Sequence, residues 1–208
     1  MNEASALQLF EFPGTRSARC RWALQEIGAP FASVVVDLRS GAHRQPEYLK
    51  VHPYGKVPAL IDGDLVLFES VAICLHLAHR FPEAHLLPAP GSAARSIHDQ
   101  WLMFCTNELE QPLWRIRRHQ SLYPADKRLP AEIELARADF LAASEVLDRA
   151  LEGRSFVAGD GLTVADIVIG YTLSWACWYD LLEGRRHLRG YLERLKQRPA
   201  FPEELRKG

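Results

Sequence analysis

Residues 55–70 read GKVPALIDGDLVLFES. Val57 to Ile61 is a β-rich run with Pro58 at its second position. Proline has no N–H to give to a ladder, so in a strand it belongs at an edge, a first position or a bulge. Asp62-Gly63 follows, a turn dipeptide that folds two short runs into a hairpin. The second run, Leu65 to Phe68, stops at Glu69-Ser70. From Val71 to Phe81 the pattern turns helical, with Ala72, Leu75 and Leu77 or Ala78 directed to a core. Ser70 stands where an N-cap belongs. A helix N-terminus presents free N–H groups and a partial positive charge, a natural site for a carboxylate. Glu69 and Ser70 therefore read either as ordinary capping residues or as groups that hold a ligand.

Upstream of this hairpin, strand-like and helical runs alternate. Leu7 to Phe12 is apolar and is broken by Pro13-Gly14. Cys20, Ala23, Leu24 and Ile27 recur at helical spacing, with Gly28 placed for a C-cap and Pro30 beyond it. Phe31 to Val36 is β-branched, so the first three elements form a β-α-β unit with parallel strands and a right-handed crossover. Pro46 to Val51 reads as a short helix. The order is β-α-β-α-β-β-α. The stretch PEAHLLPAPGSAA, residues 82–94, is rich in proline and small residues, as linkers are. We expect an α/β domain over 1–82, a linker over 83–93 and an all-helical domain over 94–208.

In the helical part the expected elements are a long helix over Ala94 to Arg117 bent at Pro112, a helix over Ala131 to Leu151, one from Val164 and one from Leu188 to Gln197. Thr163-Val-Ala-Asp166 matches a capping box, which we read as structural. Trp101, Phe104, Trp114, Tyr171, Trp175 and Trp178 are candidates to line an apolar pocket, although aromatics at helical spacing more often build a core.

The chain has 208 residues and a formal net charge of −1, which gives no drive toward nucleic acid or an anionic membrane. The N-terminal MNEASALQLF has no basic region ahead of an apolar one, so no signal peptide is expected, and no apolar run is long enough to span a bilayer. Cys20, Cys74, Cys105 and Cys177 are scattered without metal-ligand spacing. A reduced, cytoplasmic setting and no metal are expected.

PGTRSARCRWALQEIGAPF (13–31), HPYGKVPALIDGDLVLFESVAICLHL (52–77) and FVAGDGLTVADI (156–167) resemble the cytosolic glutathione transferase superfamily, of serine/threonine type, theta-like or a related bacterial class. The resemblance implies a thioredoxin-like domain followed by a helical one, and a homodimer. Glutathione is the implied co-substrate and a small apolar electrophile, lodged against the helical half, the other. It also implies a cis Val57–Pro58 bond that frees the Val57 backbone to pair with the bound peptide as an added strand would. Ser70 and Glu69 would take the γ-glutamyl end, and Lys56 and His43 the glycyl carboxylate. Four residues before Arg19 stands Thr15, the implied hydroxyl donor to the thiolate, with Ser17 the alternative. No tyrosine ends the first strand, and Cys20 falls inside the helix on its apolar face, where it reads as a core thiol. A glutathione-binding module without turnover, or a glutathione-dependent peroxidase or dehalogenase, remains open on the same residues.

Overall fold

A computed structural model describes residues 7–206. The reading of the N-terminus as free of a signal peptide rests largely on residues outside that range. The chain divides into two compact units, Met1–Leu87 with Pro202–Glu204, and Pro88–Phe201 with Leu205–Gly208.

The first unit is thioredoxin-like. Its strands are β1 (Leu7–Glu11), β2 (Phe31–Val35), β3 (Ala59–Asp62) and β4 (Leu65–Phe68). They form one mixed sheet in the order β2-β1-β3-β4. β1 runs parallel to β2 and antiparallel to β3, and β3 and β4 form the hairpin. α1 (Ser17–Ile27), the short α2 (Pro46–Leu49) and α3 (Ser70–Arg80) complete the expected order. α1 ends because Gly28 takes a left-handed φ of 73° and returns its N–H to the carbonyls of Leu24 and Gln25. That conformation costs glycine little, having no Cβ to clash. Leu7 and Leu9, alternate residues of β1, are buried together with Leu24, Leu60, Ile73 and Leu77. Each such side chain contributes roughly 1.5–3 kcal/mol by leaving water.

Two boundaries differ from expectation. Ser70 is the first residue of α3 and not its N-cap; Glu69 is the cap, with φ 73° and ψ 110°. The chain reverses at Glu69 itself, so Ser70 is already helical. In the second unit the long helix over 94–117 is interrupted before the proline. α4 (Ala93–Phe104) runs into a π-helical turn at Cys105–Leu109 and then α5 (Glu110–Arg117). Pro112 offers no N–H to the turn before it, and a wider turn absorbs the mismatch.

The second unit continues with α6 (Pro130–Ala150), α7 (Val164–Cys177) and α8 (Arg186–Lys196). Every residue of α7 from Val164 to Ala176 is buried. A helix that is buried all round is the centre of its domain, and α4, α5 and α8 pack on it. Among the described residues no helix is long and apolar enough to cross a membrane.

Candidate functional site

The register of the sheet gathers the candidate residues. Phe10 pairs with Ala59, and Ala59 with Phe68. β1 therefore runs out toward Thr15 and Ser17 at the sheet end where β3 begins, just after Val57-Pro58. At that same end β4 runs out into Glu69-Ser70. β2, parallel to β1, leaves the sheet there as well, toward the helical turn Ala42–Arg44 that carries His43.

At the turn after β1 two hydroxyls are in contact. Thr15 Oγ1 donates to the Phe12 carbonyl at 2.6 Å and lies 2.8 Å from Ser17 Oγ. A hydroxyl has a single proton. With the Thr15 proton on Phe12, Ser17 is the donor between the two. The Phe12 N–H points at Ser17 Oγ from 3.4 Å, and the Ser17 N–H at Thr15 Oγ1 from 3.3 Å. Ser17 is 1% exposed, whereas Thr15 is partly open to solvent. Of the two, Thr15 is the one a solute can reach.

Val57–Pro58 is cis, as the resemblance implies. Ladder pairing starts only at Ala59. Pro58 is buried, and Val57 is half-buried ahead of the first rung. The loop before it is firmly tied. Val51 and His52 give their N–H groups to the Tyr48 carbonyl, and Gly55 gives its own to His52 at 2.8 Å. Tyr48 donates its hydroxyl to the Lys56 carbonyl at 2.6 Å. Burial pushes the Tyr48 phenol up to about 12, so it remains a donor throughout the working pH range. Gly55, at φ 58°, faces the turn that carries His43: a Cβ there would stand 2.7 Å from the His43 carbonyl oxygen. Only glycine permits that approach, which draws His43 and Lys56 together. His43 Nδ1 is buried and has no hydrogen-bond partner among the described residues. The Lys56 ammonium is exposed and lies 4.3 Å from the Tyr54 ring centre.

The N-terminus of α3 is open. Its first intrahelical bond runs from the Ile73 N–H to the Glu69 carbonyl at 3.0 Å. The N–H groups of Ser70, Val71 and Ala72 precede that bond, and no side chain caps the end. Glu69 is exposed and holds a left-handed backbone, which for a residue with a Cβ costs roughly 1–3 kcal/mol. Such outliers collect at ligand clamps, where the surroundings impose them. Ser70 is 4% exposed, and its Oγ accepts from Arg19 Nη1 at 3.2 Å. The Ser70 carbonyl accepts a weak bond from the Cys20 thiol at 3.6 Å.

Sequence reasoning used Arg19 only as a landmark. In the fold it is a fully buried guanidinium behind Ser70, adding positive charge beneath the helix end. The signal was present: an arginine among residues 17–20, all of which fold inward. Cys20 is fully buried, and burial pushes its thiol well up, with the neighbouring Cys74 adding to the effect. It is inert as a nucleophile.

In the helical unit, Trp101 lies edge-on to Phe104 at 5.3 Å between ring centres. Trp175 lies 6.5 Å from both Trp114 and Tyr171. Trp178 stands apart and is half exposed. Two basic residues at the end of α5 and just beyond it are committed locally: Arg115 bridges Glu132 and Asp139, and Arg118 covers the Tyr123 ring.

Two family models match the chain, the glutathione S-transferase N-terminal domain over residues 5–79 and the glutathione S-transferase C-terminal domain over residues 130–194. Glutathione S-transferase 3 of Zea mays is 31% identical over 94% of this chain and 91% of its own. The chain belongs to the glutathione S-transferase family. Glutathione S-transferase GstA of Escherichia coli O157:H7 is 30% identical over 96% of this chain and 97% of its own. A solved glutathione S-transferase-I bound with lactoylglutathione superposes with a TM-score of 0.82, at 25% identity over 97% of this chain and 99% of that one. The two halves of this glutathione transferase are thus the thioredoxin-like and all-helical domains of its family.

Proposed function

We propose that this glutathione transferase is of serine/threonine type. It holds glutathione along the sheet end described above and presents the thiolate to Thr15. The product is a thioether of glutathione with a small apolar electrophile. The observation that carries this reading is the open, uncapped N-terminus of α3 beside a strained Glu69 and a buried Arg19. Three free N–H groups, a hydroxyl and a guanidinium behind it are a chemical match for the γ-glutamyl carboxylate. The Glu69 carboxylate is suited to the neighbouring ammonium. The backbone of Val57, which lies ahead of the first ladder pair at Ala59, suits the cysteinyl residue of the tripeptide, pairing with it as an extra strand. The glycyl carboxylate falls to Lys56 and to His43, whose buried Nδ1 has no hydrogen-bond partner among the described residues.

The thiol of free cysteine ionises near ~8.5, so little is thiolate at neutral pH. A single O–H donor to the anion lowers that value by about one to two pH units. Thr15 fits this role. Its heavy atom need not move; the proton turns from the Phe12 carbonyl to sulfur. Ser17 remains behind it, donating to Thr15 Oγ1, and Phe12 N–H donates to Ser17. Successive donors polarise one another, so the two hydroxyls act as a short chain with Thr15 at its open end. Thiolate attack on the electrophile then forms a carbon–sulfur bond and expels the leaving group, with no protein adduct.

We also propose a homodimer in a reduced, cytoplasmic setting. All four cysteines are free thiols. On the helical unit, half-exposed Val146 lines a groove of about 580 Å³ with Phe104, Pro112, Ala142 and Ala143 and with the polar Asn107, Glu108, Gln111, Arg115 and Asp139, a mixed face that a second copy could cover. Conjugation of an aryl halide faster than free glutathione achieves is the test of the transferase reading. Glutathione binding without that acceleration would leave a binding module, and consumption of organic peroxide alone would point to a reductive activity.

A further inference from the structure

The loop after α6 and one face of α8 form an open surface pocket of about 350 Å³ on the helical unit, and its arginines are exposed. Three arginines line it, Arg154, Arg186 and Arg194, together with His187 and Ser155. No acidic side chain lines it among the described residues. Glu152 and Glu183 lie close by in sequence as exposed side chains outside the lining, and three further acids are committed elsewhere. Asp148 accepts the Leu188 N–H at 2.8 Å, capping α8. Glu145 pairs with Arg149 and Arg185, and Glu193 with Lys196. Arg194 is already oriented, since its Nη2 donates to the Arg154 carbonyl at 2.9 Å. Gly190 keeps the wall thin: a Cβ there would lie 3.6 Å from Arg194 Nη1, and one at Gly153 would meet nothing.

Like charges gathered on one pocket repel each other and lower the stability of the empty state. The chain as a whole carries a net charge of only −1, so this concentration is local. A planar guanidinium offers parallel N–H groups that match the spacing of phosphate oxygens, and several together favour a dianion over a carboxylate. The α8 N-terminus adds little, being capped by Asp148. We propose that this pocket is a second ligand site of the protein, binding a phosphate group through Arg154, Arg186 and Arg194. Phosphate reaches it either as a free inorganic anion or as the phosphate ester of a small metabolite. The site shares no residue with the glutathione cradle, so it stands or falls separately from that reading.

The test is calorimetric titration of the full chain with inorganic pyrophosphate at fixed ionic strength. S-methylglutathione is present at saturation so that the glutathione cradle cannot take the anion. The expected result is one saturable event per chain, with a dissociation constant below about 1 mM. Arg154→Gln/Arg186→Gln should weaken it by more than about tenfold, the loss expected when a charge-assisted contact is removed. Conjugation activity without phosphate should stay within about twofold of the parent, and a thermal midpoint equal to or above the parent's, as relief of the charge repulsion predicts, would show that the variant folds. A nucleoside monophosphate in a parallel titration distinguishes the sources. Tighter binding than pyrophosphate assigns the site to phosphate esters, and weaker binding assigns it to the free anion. Non-saturable heat in the parent, or equal affinity in the folded variant, overturns the proposal.

Discussion

The molecule contains two helix N-termini that face the same physical problem and solve it in opposite ways. At α7, the Asp166 carboxylate accepts from the N–H of Val157 at 2.9 Å, the N–H of Thr163 at 2.8 Å, the Thr163 hydroxyl at 2.6 Å and the Tyr191 hydroxyl at 2.7 Å. His98 Nε2 takes the Ala165 N–H at 3.2 Å, and the reciprocal capping box is formed. At α3 no side chain caps the end, and the residue that leads into it is strained. Orphan N–H groups are costly when buried without partners. α7 satisfies its own from within the protein, and α3 has no side-chain cap for its own, which the proposed function assigns to a carboxylate. On the function proposed above, the first end is a stability device and the second a binding device, and substitutions at the two ends should separate these roles.

The largest effect is expected at the closed end. Asp166→Ala strands four buried donors and should lower unfolding free energy by more than about 3 kcal/mol. Denaturant melts of parent and variant measure this; a loss below about 1 kcal/mol would erase the contrast between the two ends. At the open end, Glu69→Gln with Ser70→Ala should weaken glutathione by more than tenfold, about 1.4 kcal/mol, while the denaturation midpoint moves little. Calorimetry reads the first quantity and the melt the second. Unchanged affinity would remove the carboxylate from α3.

Next in size is Thr15→Val. Ultraviolet titration of bound glutathione should show its thiol pKa raised by about one to two units, with affinity nearly intact. Ser17→Ala should raise it by only a few tenths of a unit, because the chain loses its second member and keeps its first. In the double variant Thr15→Val/Ser17→Ala the effect of Ser17 should vanish, and full additivity would show that the hydroxyls act separately.

The smallest effect concerns pH. Burial holds His98 below the ordinary imidazole value, against the pull of the adjacent Asp99 carboxylate. The unfolded chain therefore binds a proton at this residue near pH ~6.5, where the folded one does not. Its contribution to stability is complete above that pH and fades as pH falls through the lower folded value. His98→Gln should flatten the fall of the denaturation midpoint between about pH 7 and pH 5; a parallel shift at all pH values would assign His98 a packing role only.

Much of this contrast was legible in the sequence. Thr163 and Asp166 declared the capping box by spacing alone, because a cap is local chemistry. The hairpin at Asp62-Gly63, the C-cap at Gly28 and the β-α-β start followed from turn residues and periodicity. What escaped was non-local or conformational. His98 reaches α7 from 67 residues away, and Arg19 reaches Ser70 across 51. Sequence spacing carries no trace of such pairings. The left-handed φ of Glu69 went unforeseen because a residue with a Cβ is placed there only by its surroundings. The burial of Ser17 against the partly open Thr15, on which the proposal for Thr15 rests, is not disclosed by a two-residue separation in a turn.

The most direct measurement is a crystal structure of the full chain with glutathione. The γ-glutamyl carboxylate is predicted to sit on the N–H groups at the start of α3 beside Ser70, the cysteinyl backbone to pair with Val57, and the sulfur to lie within hydrogen-bond distance of Thr15 Oγ1. Density for the tripeptide elsewhere, or a sulfur facing away from both hydroxyls, would contradict the claim that the open helix end and the Thr15 turn form one cradle.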